Sequence, residues 1–437
     1  VNYSDLLHEV NILSSRLSQL EQDIPYIINT YQSMLVEANM LVSRVAVLES
    51  ATPPVVQPIT KQTLTPTNLR AVGGWQMPSN AGLGFVSGGL YVERDGRQLS
   101  FFTSGKETNC TIHKMTCSLD VMGQVGTNQK QWPKAVANWS VLGFHRDAST
   151  TRNNSAGAMR VQGISRPNPG GPLLCSSWDR YAVFPDAMNG PYLSWIADGG
   201  SPISVVQTPS HVNSRVMFGR GFCKIPQWFA DQYLQGRTFG VGHGGYYSSQ
   251  GASLGPTLYV CDTPEPGATL IRNAQVLLAF NAWVGDPRNA ERRFGDYSNG
   301  LWAPEPDANG VGYWVDDVDG GPVWIDTPTL TGLCYWTQQS VGPRDYALQN
   351  ETFTYTTKTR LYVYSPETIA AVASGQLVHN QARAQYYEWP NPFDNSLYTH
   401  VWPCGAAWDG EYLYVAYKNA GSDMYDTQPV IMAYEVV

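Results

Sequence analysis

From Tyr3 to Leu48 the large non-polar residues of this chain recur every three and then four positions. Tyr3, Val10, Leu17, Ile24, Tyr31, Ala38 and Val45 form one row. Leu6, Leu13, Leu20, Ile27, Met34, Leu41 and Leu48 form the other. A sustained 3.5-residue repeat is the pattern of a left-handed coiled coil. It predicts a helical stem over residues 1–50, about 70 Å long at 1.5 Å per residue, with the two rows as the oligomer core. A helix packed on its own domain would show a wider apolar stripe. Ile24 and Ile27 put β-branched residues at both core positions, and Tyr3 and Tyr31 need room, so three strands fit better than two. The polar positions carry little charge, which favours identical partners. Pro25 removes a helical N–H and predicts a local kink, after which the register resumes. The chain opens already in register, so an anchoring end is expected at or before Val1.

Residues 51–68 contain Pro53, Pro54, Pro58 and Pro66 among several threonines. This composition excludes helix and predicts an extended neck close to polyproline II. The remainder, 69–437, reads as a large β head. Charged residues make up only 15% of the chain, against about 25% in ordinary globular proteins. Glycine, proline, tryptophan and tyrosine are abundant, as in turn-rich β proteins. A net charge of −8 without any basic cluster argues against nucleic acid as a partner. No apolar run approaches the roughly 20 residues of a membrane span, so membrane insertion is not expected. The seven cysteines show no zinc spacing. Cys175, Cys261 and Cys334 sit in apolar runs and read as buried thiols, while Cys110 and Cys117 are close enough in sequence to pair.

Short β-rich runs punctuated by Gly, Pro, Asn and Asp fill the head. Leu90–Glu93 and Gln98–Phe102 flank an Asp95-Gly96 turn and predict a hairpin. Trp314-Val315 with Val323–Ile325 predicts a second, and Ala407–Trp408, Tyr412–Tyr417 and Val430–Val436 a third group. Leu-Tyr-Val recurs at Leu90, Leu258, Leu361 and Leu413, at intervals near multiples of one blade length. The runs at Leu258 and Leu361 look like equivalent strands, that at Leu413 like an earlier one. Only Gln227–Leu234 and Pro366–Val372 look helical. The expected fold is therefore mainly β: a coiled-coil stem followed by a β-propeller of five to seven blades. A β-sandwich, a jelly roll or two smaller β domains are the competing layouts.

Several residue groups could carry chemistry. Asp316, Asp317 and Asp319, followed by Gly320, resemble part of a Ca²⁺ loop, which needs clustered oxygens and a sharp turn. A polar β-turn explains the same residues, and no other cofactor is expected. Glycoside hydrolysis requires two carboxylates about 5–10 Å apart. Asp179, Asp198, Asp317, Asp319 and Glu388 are the candidates, but no spacing brings two of them together, so no catalytic residue is assigned. His243 lies among glycines that would let a ligand approach the backbone. Exposed aromatic rings beside polar groups suit sugars. Trp302, Tyr246, Tyr247, Tyr386, Tyr387, Glu388 and Trp389 are expected to bind a ligand on that basis, unless the rings pack between blades.

The heptads at Tyr3–Leu48, the neck at Pro53–Pro66 and the β head together resemble the fibre, spike and receptor-binding proteins of viruses, bacteriophage tail fibres in particular. That resemblance implies an extracellular, virion-borne homotrimer, bound to a virion structural protein at its N-terminal end. The head would then attach to a host-surface glycan or protein. A fibre-borne glycoside hydrolase or depolymerase of surface polysaccharide is the alternative. A purely structural spike or a bacterial surface adhesin would use the same parts.

Overall fold

The structure, a computed structural model, describes residues 58–78, 89–104, 111–142, 159–179, 192–200, 202–206, 221–243, 256–278, 321–341, 356–379, 381–390, 393, 402–418 and 429–437. The heptad region and the first part of the neck lie outside them. The β region forms a compact unit over Ile59–Val437.

This unit contains five sheets, each built mostly from strands consecutive in the chain. A two-residue strand, β1 (Gln62–Thr63), precedes β2 (Leu69–Gln76). The first sheet is β3 (Leu90–Asp95), β4 (Gln98–Ser104), β5 (Thr111–Ser118) and β6 (Val136–Leu142). The second is β7 (Met159–Ser165), β8 (Leu173–Asp179), β9 (Tyr192–Ile196) and β10 (Pro202–Val206). The third is β11 (Phe222–Lys224), β12 (Phe239–His243), β13 (Thr257–Cys261) and β14 (Gln275–Leu278), with helix α1 (Gln227–Tyr233) between its first two strands. The fourth is β15 (Val323–Asp326), β16 (Leu330–Val341), β17 (Thr356–Tyr364) and β18 (Gln385–Glu388), with helix α2 (Pro366–Ala373) before its last strand. The fifth is β19 (Trp402–Trp408), β20 (Tyr412–Lys418) and β21 (Val430–Val436), completed by β2 from the other end of the unit.

Two observations make these sheets the blades of a five-bladed propeller. The first strands β3, β7, β11, β15 and β19 touch one another in cyclic order, so they line the axis. Each gap between neighbouring blades also encloses one apolar cluster. Blades 1 and 2 share Phe102, Ile112, Val161 and Cys175. Blades 2 and 3 share Leu193, Trp195, Val241 and Cys261. Blades 3 and 4 share Phe229, Val260, Tyr335 and Tyr362, and both helices pack there. Blades 4 and 5 share Trp336, Trp389, Tyr417 and Tyr434. Blades 5 and 1 share Trp75, Tyr414, Phe101 and Leu99.

Packing on both faces explains the strand sequences. All five residues of β13 are buried, as are Leu413–Tyr417 of β20, so the polar half of a period-2 pattern disappears. Local chemistry sets the ends. Gly96 takes φ +60° in the β3–β4 turn, a left-handed value that favours glycine. Ser365 caps α2 by accepting from the Thr368 N–H at 3.2 Å, with Pro366 at the first helical position.

The expectation of five to seven blades resolves to five. The Leu-Tyr-Val runs at Leu258 and Leu361 lie on third strands, and that at Leu413 lies on a second strand. The hairpin at Asp95-Gly96 and the group ending at Val436 form as read. Of the hairpin expected between Trp314-Val315 and Val323–Ile325, the second strand forms as β15. Trp314 and Val315 lie outside the described residues, and β15 turns through Thr327–Thr329 to pair with β16. The last part of the expected neck is docked rather than free. β1 runs parallel to the start of β16 and Leu64 is fully buried. Cys117 is a free thiol, so the Cys110–Cys117 pairing is not formed. Cys175, Cys261 and Cys334 are buried thiols, and burial holds their protonated form.

His113 lies on β5 between Thr103 and Ser140 of its neighbours and is buried. Its Nε2 is 2.9 Å from the Thr111 hydroxyl. Burial lowers its pKa from the ordinary 6.5 to about 4. The unfolded chain therefore takes up a proton near pH 6.5 that the fold resists until about pH 4. Thermal stability should fall as pH drops through this window. A His113→Gln variant should show a shallower fall when melting temperature is followed against pH.

Candidate functional site

All first strands of the ring run in the same direction along the axis, so they begin at one common rim. The second and fourth strands point toward that rim. Tyr246, Tyr247, Trp302, Asp316, Asp317 and Asp319 lie outside the described residues. Asp179 is the last residue of β8 and His243 the last of β12, so both backbones reach the same rim.

Gly240 and Gly242 before His243 have a packing role, and Gly244 and Gly245 lie outside the described residues. Gly240 and Gly242 lie inside β12, and a Cβ on Gly240 would sit 2.5 Å from the Cys223 Sγ. Asp198 is also accounted for. It accepts from the Arg166 Nη2 at 2.6 Å, and the same guanidinium donates to Glu93 and to the Gly171 carbonyl. Arg166 is almost fully buried, and the carboxylates beside it raise its pKa against the effect of burial. This cluster joins blades 1 and 2.

The structure does bring three of the sequence-derived residues to one site. Tyr386, Tyr387 and Glu388 on β18 form one wall of a cleft of about 650 Å³, and Thr65, Pro66 and Thr67 form the other. Consecutive strand residues face opposite sides, and the two tyrosines divide accordingly. Tyr386 packs toward blade 3. Its ring lies 4.6 Å from the Arg360 guanidinium and 6.2 Å from the Tyr362 ring. Tyr387 packs toward blade 5 and stays half-buried, its hydroxyl donating to the Gln385 Oε1 at 2.6 Å. Partial burial raises its pKa, with a further push from Cys334.

The facing wall is a fixed turn. The Thr65 N–H donates to the Asn68 Oδ1 at 2.9 Å, and the Thr65 and Thr67 hydroxyls are 2.8 Å apart. Asn68 in turn is tied to the C-terminus, accepting from the Val437 N–H at 2.8 Å. Thr65 and Thr67 were absent from the sequence-derived ligand set because prolines and threonines there read as a spacer. The Thr65-x-x-Asn68 spacing, which resembles a capping signal, was the available clue.

Trp389 requires a correction. It is 7% exposed and packs against Trp336 with ring centroids 5.7 Å apart. Its Nε1 donates to the Tyr417 hydroxyl at 2.8 Å, which meets the Tyr434 hydroxyl at 2.7 Å. The alternation that exposes Glu388 turns Trp389 into the gap between blades 4 and 5, so it is structural. Among the described residues no cluster of His, Cys, Asp or Glu could hold a metal ion, and no helix is long and apolar enough to cross a membrane.

No protein-family model matches the chain, and no curated protein does. Solved structures with a similar arrangement include a glycosyl hydrolase from Bacteroides ovatus. The two are 9% identical with a TM-score of 0.39, over 86% of this chain and 97% of that one. An exo-β-1,3-galactanase from Phanerochaete chrysosporium is 10% identical with a TM-score of 0.40, over 84% and 67%. The α-L-arabinanase of Cellvibrio cellulosa is 10% identical with a TM-score of 0.38, over 78% and 90%.

Replacing Trp389 with Phe removes one buried hydrogen bond and part of the packing. It should cost about 1–3 kcal/mol in denaturant unfolding. It should leave any ligand affinity of the Tyr387 cleft unchanged.

Proposed function

We propose that the propeller is a glycan-binding head and that the cleft between Thr65–Thr67 and Tyr386–Glu388 is its binding site. The observation that carries this reading is the cleft itself. It combines a half-buried tyrosine ring and two threonine hydroxyls on walls that are already fixed. A sugar presents a flat face of C–H groups and an edge of hydroxyls. The ring takes the face, while the hydroxyls take the edge. Walls ordered before binding spare the entropy of arranging them.

Hydrolysis of such a glycan is the second reading, and one observation favours it. β15 starts at Val323 on the axial rim, with Asp316, Asp317 and Asp319 just before it in sequence, and Asp179 ends β8 at that rim. A run of acidic residues leading into a first strand in sequence suits carboxylate chemistry. On either reading the stem gathers three heads outside the cell, where their weak individual contacts add as avidity.

A glycan array with the intact protein tests the site. Tyr387→Ala should weaken retention about tenfold, which is about 1.4 kcal/mol. Binding that is indifferent to this change overturns the assignment of the cleft, and release of reducing sugar would favour the second reading. The mass of the intact protein in solution should be that of three chains, and a monomer would overturn the avidity argument.

A further inference from the structure

The two walls of the cleft are held differently. Tyr386–Glu388 belong to β18 and are part of a blade. Thr65–Thr67 hang between two unequal anchors. On the C-terminal side β2 pairs with β21 from Leu69 to Gln76, and the Asn68 carbonyl accepts from the Val437 N–H at 2.8 Å. On the N-terminal side β1 is a strand of two residues. The Gln62 N–H donates to the Thr329 carbonyl at 2.8 Å, and the Leu64 N–H to the Thr331 carbonyl at 3.0 Å. A segment held by few backbone bonds opens at lower cost than a long ladder, and it opens without unfolding the rest.

Three side chains reinforce the weaker anchor. Leu64 is fully buried in the gap between blades 4 and 5. Gly332 leaves it room, since a Cβ there would lie 3.2 Å from the Leu64 Cβ. Ile59 packs against the gap between blades 3 and 4. Lys61 lies between these two in sequence. Its Nζ is 2.8 Å from the Asp326 Oδ1 and 5.2 Å from the centre of the Trp228 ring. The Trp228 Nε1 donates to the same carboxylate at 3.2 Å. One ammonium thus ties this segment to β15 of blade 4 and to α1 of blade 3. The two charged side chains are only 20% and 23% exposed, so salt screens them less than a surface pair. Thr65 follows Leu64 directly, and the bond from its N–H to the Asn68 Oδ1 ties the turn to itself. Once Leu64 leaves its seat, the turn is held only at its Asn68 end.

We propose that residues 59–67 are a strap latched by Lys61, which lifts from blades 3 and 4 while β2 and the ring stay paired, and that Lys61 is a positioning residue for the cleft. Lifting carries Thr65–Thr67 away from Tyr387 and leaves the cleft with one wall. A pull on the chain ahead of residue 59 loads Ile59 and Lys61 before it reaches that wall. The contact that holds the neck therefore also sets whether the cleft is complete. The control of ligand binding rests on the glycan-binding reading, whereas the opening of the strap does not.

Hydrogen–deuterium exchange of the intact protein, read by mass spectrometry over peptides spanning 59–67 and 69–76, tests this. The first peptide should exchange about tenfold faster than the second or more. Lys61→Met keeps an unbranched apolar stem beside Trp228 but removes the charge. It should speed exchange in 59–67 about tenfold and leave 69–76 and the melting temperature unchanged. Asp326→Asn, which can still accept from Trp228, should do the same, while Lys61→Arg should behave as the natural chain. The glycan retained most strongly from an array of neutral, amino and acidic glycans supplies the link to the cleft. At about ten times its Kd it should slow exchange in 59–67 about tenfold, because it binds the closed strap. Exchange of 59–67 at the rate of 69–76, or equal exchange in Lys61→Met and Lys61→Arg, overturns the strap and leaves the glycan-binding reading standing. Exchange indifferent to a retained glycan overturns the positioning role of Lys61. An array that retains nothing overturns the glycan-binding reading, and the exchange pattern still decides the strap.

Discussion

The pairing of β2 with β21 is the contact on which the ring depends. β21 is the last strand of the chain, and β2 follows the neck, so the two ends of the propeller unit meet in one blade. Their ladder runs antiparallel from Leu69 with Val436 to Gln76 with Val430, interrupted by one irregularity between Ala71 and Gly73. Without β2 the fifth blade would expose the backbone edge of β21, and the fifth gap would lose Trp75. The Trp75 Nε1 donates to the Val121 carbonyl at 2.7 Å, so the same strand also grips the outer connection of blade 1. Such distant contacts carry a loop-closure cost. That cost has to be offset by the five apolar gaps, where tilted and edge-on aromatic pairs contribute about 0.5–1.5 kcal/mol each beyond area burial.

Among the described residues, ionic contacts tie neighbouring blades together. Arg166 holds blade 2 to Glu93 of blade 1. Arg94 reaches Glu411 of blade 5 at 2.5 Å and Asp409 at 3.6 Å. Asp326 of blade 4 accepts from Lys61 at 2.8 Å and from the Trp228 Nε1 of blade 3. Charges taken from water return little net stability unless their geometry is complete. Their physical effect is to fix the rotation of blade 1 against blades 2 and 5, and of blade 3 against blade 4.

The fold was legible where local chemistry decides it. The Asp95-Gly96 turn, the Ser365-Pro366 helix start and the β-branched, aromatic runs at Leu258, Leu361 and Leu413 could all be read from neighbours in sequence. Blade number could not, because it depends on the cyclic contact of first strands far apart in the chain. The site was half legible. Tyr386, Tyr387 and Glu388 were marked by an aromatic run ahead of a proline. Trp389 carries the same mark but is structural, since composition does not reveal which side of β18 is buried. Thr65 and Thr67 were read as spacer because nothing local shows that β1 docks on β16.

Ring closure and the cleft are physically the same event. Thr65–Thr67 lie between β1, held by blade 4, and β2, held by blade 5. Their position opposite Tyr387 therefore follows from where those two strands are hydrogen-bonded. Asn68 reinforces it by bonding both the Thr65 N–H and the Val437 N–H. A loop that merely covered β18 would be free to move away from it. A turn anchored at both ends can hold its hydroxyls at a fixed height above the tyrosine ring, and that is the requirement for recognising a sugar by its edge and face together. The segment that resembles a spacer in sequence is thus one wall of the cleft.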